Sequence, residues 1–329
     1  MLKKIAMTAV AGLLSTAFAT ATACETTPAP EQLEGGWNLV WSDEFNGDAI
    51  DMTKWSHEMD CWGGGNNELQ CYVPWEENSF VKDGCLSMVA KFEGVDALEG
   101  PAWPASMREK ENPDIDPAET KKQSFSSSRL RTKGKAEWKY GRIEARARVP
   151  LGQGLWSAIW MLPTDEIYGP WALSGEIDIM EAVNIGAKCR ECRGKKENRV
   201  LGTIHYGGEW PQNTYKGKNT RLPKPDENGD YGFNTYAVEW TEGQIEWFLN
   251  GKSYGKFSNR AWSPMISSNR NAPFDQQFHL IMNLAIGGDL AGQKNETGVD
   301  LNGWPKTMQV DWVRVYQCDG DETGKACRS

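Results

Sequence analysis

The sequence predicts an all-β fold, an antiparallel β-sandwich, on three observations. Short segments rich in β-branched and aromatic residues follow one another from Trp37 onward, turn residues separate them, and no long stretch has helical periodicity. Many short strands joined by turns are typical of a sandwich rather than of alternating strands and helices. A length of 329 residues lies within reach of one such domain.

Nine segments carry the strand prediction. Apolar and polar residues often alternate in them, which is the period-two pattern of a half-buried strand. Asn250-Gly251 lies inside one segment and is a hairpin signal, since both residues tolerate positive φ. The segments are 86–92, 140–150, 155–162, 175–183, 200–206, 235–241, 244–254, 278–286 and 308–317.

The regions around these strands complete the predicted organisation. Residues 24–36 are rich in Pro and Gly and are expected to form a short linker, 37–318 the domain, and 319–329 a C-terminal tail. Residues 94–123 carry four prolines and no periodicity, which predicts a long surface loop. Two interpretations of that loop remain open: a wall of a binding cleft, or an insertion without a role.

The chain begins with a signal-peptide pattern. Lys3-Lys4 precede an apolar stretch that ends in small residues, so residues 1–23 are predicted to direct export. Cleavage after Ala23 would give a secreted or periplasmic protein, whereas lipid attachment at Cys24 would give an outer-membrane lipoprotein; both remain open. The apolar run is too short for a permanent transmembrane span.

Composition narrows the class of partner. The net charge of −9 disfavours nucleic acid, because phosphate binding needs clustered Lys and Arg. Most of the 16 tryptophans are expected to fill the core, but indole rings are also flat platforms that suit the C–H faces of sugars. The expected partner is therefore a neutral polysaccharide. The protein itself is expected to be a monomer.

The eight cysteines fit an oxidising compartment. Local disulfides are expected for Cys61 with Cys71, Cys189 with Cys192, and Cys318 with Cys327. No local partner is assigned to Cys24 or Cys85. A zinc site at Cys189 and Cys192 would require a second ligand pair, and none is evident.

Three acids in the segment GEIDIME carry the predicted chemistry. In a regular strand Glu176 and Asp178 share one face, and Glu181 falls on the opposite face with the isoleucines, where an unpaired carboxylate is costly. One extra residue, a β-bulge around Ile179-Met180, would return Glu181 to the face of the other two acids. Their Cα atoms would then be roughly 13 Å apart and their carboxyl groups about 5 to 6 Å apart. Retaining glycosidases place their two carboxyl groups about 5 to 5.5 Å apart.

The chain resembles glycoside hydrolase family 16, whose signature is E-[ILV]-D-x-(x)-E. The longer E-x-D-x-x-E spacing here is similar to that of its laminarinase-like branch. The resemblance covers nearly the whole mature chain in nine ordered segments: LVWSDEFNG (39–47), NNELQCYV (66–73), SSRLRTKGK (127–135), YGRIEARARVPLGQGLWSAIWMLP (140–163), SGEIDIMEAVN (174–184), GTIHYGG (202–208), YAVEWT (236–241), NLAIGG (283–288) and VDWVRVY (310–316).

The resemblance implies a concanavalin-like jelly roll with a substrate cleft on its concave sheet. It implies that Glu176 is the nucleophile and Glu181 the acid and base, and that Asp178 hydrogen-bonds the nucleophile and helps to separate the pKa values of the carboxyl groups. No cofactor is required for this catalysis.

The resemblance also implies residues that bind substrate. Trp156, Trp160 and Trp171 would stack on sugars, His205 would lie near the acid/base, and Asn67 and Arg146 would hydrogen-bond sugar hydroxyls. Core filling by the tryptophans and a structural role for the histidine remain open.

A structural calcium away from the cleft is a further implication, with ligands Glu44, Asp311 and a carbonyl near Gly84. The alternative is two isolated surface acids.

The function that follows is retaining endo-hydrolysis of β-1,3-glucan (laminarin) or of mixed β-1,3-1,4-glucan. Two alternatives remain open. One is a galactan hydrolase acting on agar or carrageenan, for which the basic cluster at 187–196 is the only candidate anion contact in the sequence. The other is a non-catalytic glucan-binding protein, although a binder has no use for two intact catalytic acids.

Overall fold

A computed structural model describes residues 24, 28–108, 114–262 and 267–328. The predicted signal peptide, 1–23, lies outside the described residues. Helical structure is confined to one short α-helix, α1 (Ala105–Arg108), a π-helical turn at Gly288–Gly292 and a 3₁₀ turn at Lys325–Cys327 among the residues just given. None of the described helices is long and apolar enough to cross a membrane.

The strands, in chain order, are β1 (Gln32–Leu33), β2 (Trp37–Asp43), β3 (Ser56–His57), β4 (Gln70–Tyr72), β5 (Ser79–Lys82), β6 (Cys85–Phe92), β7 (Leu98–Pro101), β8 (Thr120–Gln123), β9 (Phe125–Ser127), β10 (Arg129–Arg131), β11 (Gly141–Arg148), β12 (Leu155–Pro163), β13 (Glu176–Val183), β14 (Arg199–Gly207), β15 (Asn213–Arg221), β16 (Asn234–Thr241), β17 (Gln244–Leu249), β18 (Lys252–Ser258), β19 (Phe278–Ile286) and β20 (Lys306–Cys318). Each of the nine predicted segments is confirmed as strand.

Two large sheets form the sandwich. The 7-stranded sheet has the order β15-β14-β13-β12-β19-β10-β3, and every neighbouring pair in it is antiparallel. The 11-stranded sheet runs β18-β17-β16-β11-β20-β6-β9-β4, with β1, β2 and β5 attached. The antiparallel β-sandwich prediction is therefore confirmed.

The hydrophobic core lies between the two sheets. Alternation explains its composition, because every second side chain of a strand faces the opposite sheet. Ile143 and Val238 contribute from the 11-stranded sheet, and Ile159, Ile177 and Met282 contribute from the 7-stranded sheet, each fully buried. The other face of the 7-stranded sheet is thereby left for polar and aromatic side chains.

The predicted loop at 94–123 is not structureless. It contains the hairpin β7–β8, in which Leu98 is paired with Gln123, and the helix α1; residues 109–113 lie outside the described residues. The hairpin contacts the segment before β4, because the Cys61 amide donates to the Pro101 carbonyl over 2.7 Å. The prolines and missing periodicity concealed these short strands.

Four disulfides link the described cysteines. The three predicted local pairs, Cys61–Cys71, Cys189–Cys192 and Cys318–Cys327, are confirmed, and the two remaining cysteines form a fourth bond, Cys24–Cys85. The predicted linker is thus bonded to β6 at its first residue. Leu33 in this segment also pairs with Trp37 of β2 in an antiparallel ladder, so part of the segment is folded against the domain.

Candidate active site

The bulge in β13 is the decisive local feature of the site. Against β14, Asp178 pairs with Thr203 and Glu181 pairs with Leu201, so two residues of β13 oppose the single residue Gly202. Against β12 the register shifts at the same place. The predicted bulge at Ile179-Met180 is confirmed, and both residues are buried. Glu181 therefore returns to the face that carries Glu176 and Asp178.

The opposite sheet supports this bulge from behind. The Trp247 indole on β17 donates from Nε1 to the Asp178 carbonyl over 2.8 Å. The indole lies directly against Gly202, where an added Cβ would be only 2.3 Å from the Trp247 ring. Gly202 is therefore required for this contact, since any larger side chain would displace the indole. A backbone carbonyl beside a ladder irregularity thus has a buried donor.

Each of the two glutamates has its own set of donors. Trp171 donates from Nε1 to Glu176 Oε2 over 2.7 Å. Trp156 donates from Nε1 to Glu181 Oε1 over 3.2 Å, and the Thr203 hydroxyl donates to Glu181 Oε2 over 3.3 Å. Trp156 and Trp171 are half-buried and outside the core, so both contact the acids as well as offering ring faces.

His205 is the one cation within reach of the acids among the described residues. Its Nε2 lies 3.5 Å from Glu176 Oε1 and 3.3 Å from Asp178 Oδ2. The prediction placed this histidine near Glu181, and the structure places it against the other two acids. Burial alone would lower its pKa, but the negative charge of Glu176, Asp178 and Glu181 raises the pKa of His205 to about 10.

Burial and mutual repulsion raise the pKa values of two carboxyl groups in the site. Burial, followed by the charges of Glu176 and Glu181, raises the pKa of Asp178 well above its ordinary value, against a smaller opposing effect of His205. Burial also raises the pKa of Glu181, although the charge of His205 opposes the shift. A carboxyl group with a raised pKa can hold a proton near neutral pH, as a general acid must.

Beyond Trp160, the site continues into a buried polar network that the sequence did not predict. Trp160 donates from Nε1 to Asn283 Oδ1 over 2.7 Å, and Asn283 donates to the Tyr72 hydroxyl over 3.0 Å. The Arg129 guanidinium lies over the Tyr72 ring, 4.4 Å from its centre, and 3.5 Å from Glu58. Arg129 and Asn283 pair across β10 and β19 and lie on the face of Trp160.

Arg146 is the clearest error among the predicted substrate contacts. It lies on β11 in the 11-stranded sheet, where Ala145 and Ala147 face the core and Arg146 therefore faces away from it. Its guanidinium is ion-paired with Asp311 and covers the Phe233 ring. Arg146 thus lies on the far side of the sandwich from the acids, and Arg129 is the arginine that faces the site.

Asn67 lies in the loop before β4 and has positive φ. Its amide donates to both carboxylate oxygens of Asp289 over 3.2 Å. This contact joins two loops at the end of β19. Its sugar-binding role stays a prediction.

The residues predicted to bind calcium have other partners. The Glu44 carboxylate accepts two hydrogen bonds from Arg314, over 3.1 and 2.7 Å, and Asp311 is ion-paired with Arg146. Two carboxylates already neutralised by guanidinium groups do not present the anionic oxygen cage that calcium prefers. Gly84 has positive φ in the turn before β6. The donor set as arranged does not fit calcium, and the site stays a prediction.

Comparison with known proteins identifies the family. Residues 37–318 match the family model described as beta-porphyranase A-D, GH16 domain. The chain belongs to glycoside hydrolase family 16. Among curated family relatives, glucan endo-1,3-beta-glucosidase A1 of Niallia circulans is 40% identical over 86% of this chain but only 38% of its own length. The beta-glucanase of Rhodothermus marinus is 38% identical over 85% of each chain.

Solved structures of family 16 proteins agree with this assignment. The laminarinase from Rhodothermus marinus has 38% identity and a TM-score of 0.64, covering 85% of this chain and 97% of that one. The laminarinase catalytic domain from Thermotoga maritima MSB8 has 31% identity and a TM-score of 0.64, covering 87% of this chain and all of that one. The jelly-roll fold and the assignment as a glycoside hydrolase are thereby confirmed.

Proposed function

We propose that this protein is a retaining endo-β-1,3-glucanase that hydrolyses laminarin or mixed β-1,3-1,4-glucan. One observation carries the proposal: the bulge brings Glu176 and Glu181 to one face of β13, and each glutamate has different neighbours. Glu176 accepts a hydrogen bond from Trp171 and lies beside His205, which favours a charged nucleophile. Glu181 has a raised pKa, which favours a proton donor.

The first step of the proposed reaction forms a covalent intermediate. The Glu176 carboxylate attacks the anomeric carbon, the glycosidic C–O bond breaks, and Glu181 gives its proton to the leaving oxygen. In the second step Glu181 takes a proton from water, the water oxygen attacks the same carbon, and the ester bond to Glu176 breaks. Two inversions give net retention.

Asp178 and His205 support this division of roles. Asp178 lies between the two glutamates in the strand and, with its raised pKa, can hold a proton that limits repulsion around the nucleophile. The positive charge of His205, close to Glu176 and Asp178, stabilises the remaining negative charge. The site can thus keep one glutamate charged and the other protonated.

The choice of glucan as substrate comes from the relatives. Proteins named as glucan endo-1,3-beta-glucosidases or beta-glucanases are 34% to 40% identical to the chain, whereas a keratan-sulfate endo-1,4-beta-galactosidase is 29% identical. Two lysines of the basic cluster at 187–196 already have partners within the protein and are less available to an anionic galactan. Lys188 is paired with Glu296 over 3.2 Å, and Lys195 donates to the Arg190 carbonyl over 2.9 Å.

Incubation with laminarin, lichenan, agarose and carrageenan, followed by sizing of the products, tests the substrate. Short oligosaccharides are expected from laminarin, and the newly formed reducing end should be the β-anomer when followed by NMR at early times. Cleavage of agarose or carrageenan alone would overturn the glucanase proposal. An α-anomer as first product would overturn retention. Binding to laminarin without turnover in wild type would favour the glucan-binding alternative.

We also propose that the mature protein is exported and that Cys24 is a disulfide partner, not a lipid anchor. The four disulfides support an oxidising compartment. A lipid thioether would occupy the Cys24 sulfur that bonds to Cys85. Intact mass measured before and after reduction should show an unmodified N-terminus and eight thiols only after reduction. An acylated N-terminus with Cys85 free would overturn the disulfide assignment.

A further inference from the structure

The edge strand β15 extends the cleft floor on the side of the acids opposite to Trp156 and Trp160. Its register with β14 pairs Tyr215 with His205 and Gly217 with Thr203, and β14 in turn pairs His205 with Glu176 and Thr203 with Asp178. Directly paired residues point to the same face of a sheet. Tyr215 and Gly217 therefore share the face of the acids, two strand spacings or about 10 Å from β13.

Tyr215 has the properties of a sugar platform. Its side chain is 67% exposed, so its ring face is accessible to a ligand. Its ring lies 5.7 Å from the His205 ring with an interplanar angle of 34°, and His205 lies 5.6 Å from Trp171. The three rings form a continuous aromatic row that leads away from Glu176.

The neighbouring positions leave room for a sugar ring. Gly217 places no side chain on the floor, and an added Cβ would lie 3.2 Å from the Thr203 hydroxyl, which is the donor to Glu181. Asn219, one step further along the same face, is exposed and offers an amide. An aromatic ring, an open floor and an amide are the parts of a pyranose-binding site.

The opposite face of β15 is occupied by contacts with the rest of the protein. Lys218 lies over the Phe257 ring at 5.1 Å, and Lys216 donates to the Ala261 carbonyl over 2.6 Å. These contacts fix the orientation of the strand, so the Tyr215 face is the one directed to the cleft.

We propose that Tyr215, the open floor at Gly217 and the amide of Asn219 form a sugar-binding subsite for a neutral pyranose unit of the glucan chain, beyond the unit that contacts the acids. This inference rests on the proposed glucanase function. In this proposal β15 binds the part of the substrate that lies on the opposite side of the acids from Trp156 and Trp160. A longer substrate would have a higher kcat/KM because of this contact, and a short substrate would not reach it.

The test compares Tyr215→Ala, Tyr215→Phe and Thr214→Ala on laminarin and on β-1,3-gluco-oligosaccharides of increasing length. Thr214 is the matched control, because it is exposed on the opposite face of the same strand. Tyr215→Ala should lower kcat/KM on laminarin about tenfold, the size of a lost stacking contact. Tyr215→Phe should keep most activity, and Thr214→Ala all of it.

Length dependence separates a subsite from an indirect effect through His205. The loss in Tyr215→Ala should vanish on the shortest cleaved oligosaccharide, and the pH profile of kcat should match wild type. An equal loss on all lengths, or a shifted pH profile, would overturn the subsite. Unchanged kcat/KM on laminarin in Tyr215→Ala would overturn it as well, while leaving the glucanase proposal intact. Wild type inert on all β-glucans would instead reject the proposed function.

Discussion

Strand β11 carries four charged side chains on one face and strand β13 carries three, and the two sets have opposite consequences. On β11, Arg142 is paired with Glu144 over 2.7 Å and with Glu239 over 2.8 Å, and Arg146 is paired with Asp311. On β13 all three charged residues are acids, and His205 is their one cationic neighbour among the described residues. Opposite charges on β11 satisfy one another, whereas like charges on β13 do not.

The backbones of the two strands differ in the same sense. β11 pairs with β16 without a register shift, and in its one shift against β20 the extra residue, Asp311, lies in β20. The charged residues of β11 therefore follow strict alternation. β13 shifts register against both neighbours, and only that shift gathers its acids on one face. A regular ladder of paired charges stabilises a sheet, and a bulged strand with like charges creates groups with perturbed pKa values, which are typical of an active site.

The largest expected effect is that of Glu176→Gln on β13. It should lower kcat on laminarin by about 10³-fold or more, because the nucleophile is removed. The free energy of unfolding should change little, since the substitution removes the repulsion between Glu176 and Asp178 together with the attraction between Glu176 and His205. Kinetics and thermal unfolding of the same preparation measure both. A variant that lost activity together with several kcal/mol of stability would contradict this contrast.

Arg146→Met on β11 should have the opposite effect: the protein should lose stability and keep its activity. Breaking a buried ion pair from one side costs about 3 kcal/mol, because Asp311 is fully buried and loses this partner. kcat/KM on laminarin should stay at the wild-type value. The double variant Arg146→Met/Asp311→Leu is the control and should recover most of the stability. A loss of substrate affinity in Arg146→Met would restore the sugar-binding role that the structure rejects.

These two strands also show how far the sequence could lead. The strand segments, the acids and the bulge follow from local pattern, because a carboxylate such as Glu181 on the core side would be too costly. Alternation gives the faces of a strand but not the sheet to which the strand belongs. The resemblance implies a cleft position for Arg146 that alternation cannot correct, and neither identifies Arg129 and Asn283, which share the face of Trp160. Their network depends on pairing between β10 and β19, which are about 150 residues apart.

Trp247 tests whether the bulge needs its support from the opposite sheet. Trp247→Phe removes the donor to the Asp178 carbonyl and should cost about 1 to 3 kcal/mol. If the bulge then relaxes, kcat should fall about tenfold as the acids move apart. Trp240→Phe is a matched control, because Trp240 is equally buried and donates over 3.0 Å to the Phe274 carbonyl, away from the acids.

Both tryptophan variants should lose stability, and only Trp247→Phe should lose kcat. Gly202→Ala should reproduce the Trp247 effect, since the new Cβ would overlap the indole. Equal kcat in Trp247→Phe and Trp240→Phe would mean that the bulge is maintained by β12 and β14 alone.

The smallest effect is a pH dependence of stability with opposite signs at two histidines. The charges of the acids raise the pKa of His205 to about 10, above the unfolded value of 6.5. Its contribution is complete below pH 6.5 and is lost as pH rises to about 10. Burial, followed by the charges of Lys133 and Arg131, lowers the pKa of His279 to about 3. Its contribution is complete above pH 6.5 and is lost as pH falls.

Unfolding by urea from pH 4 to 10 distinguishes the two histidines. His205→Asn should flatten the alkaline decline of the free energy of unfolding, and His279→Asn should flatten the acidic decline. The alkaline slope will not vanish in His205→Asn, because Asp178 also has a raised pKa and becomes unfavourable to bury as it ionises. If His205→Asn left the alkaline limb unchanged, the imidazole would not be the cation that balances the acids of β13, and their separation into nucleophile and proton donor would need another source.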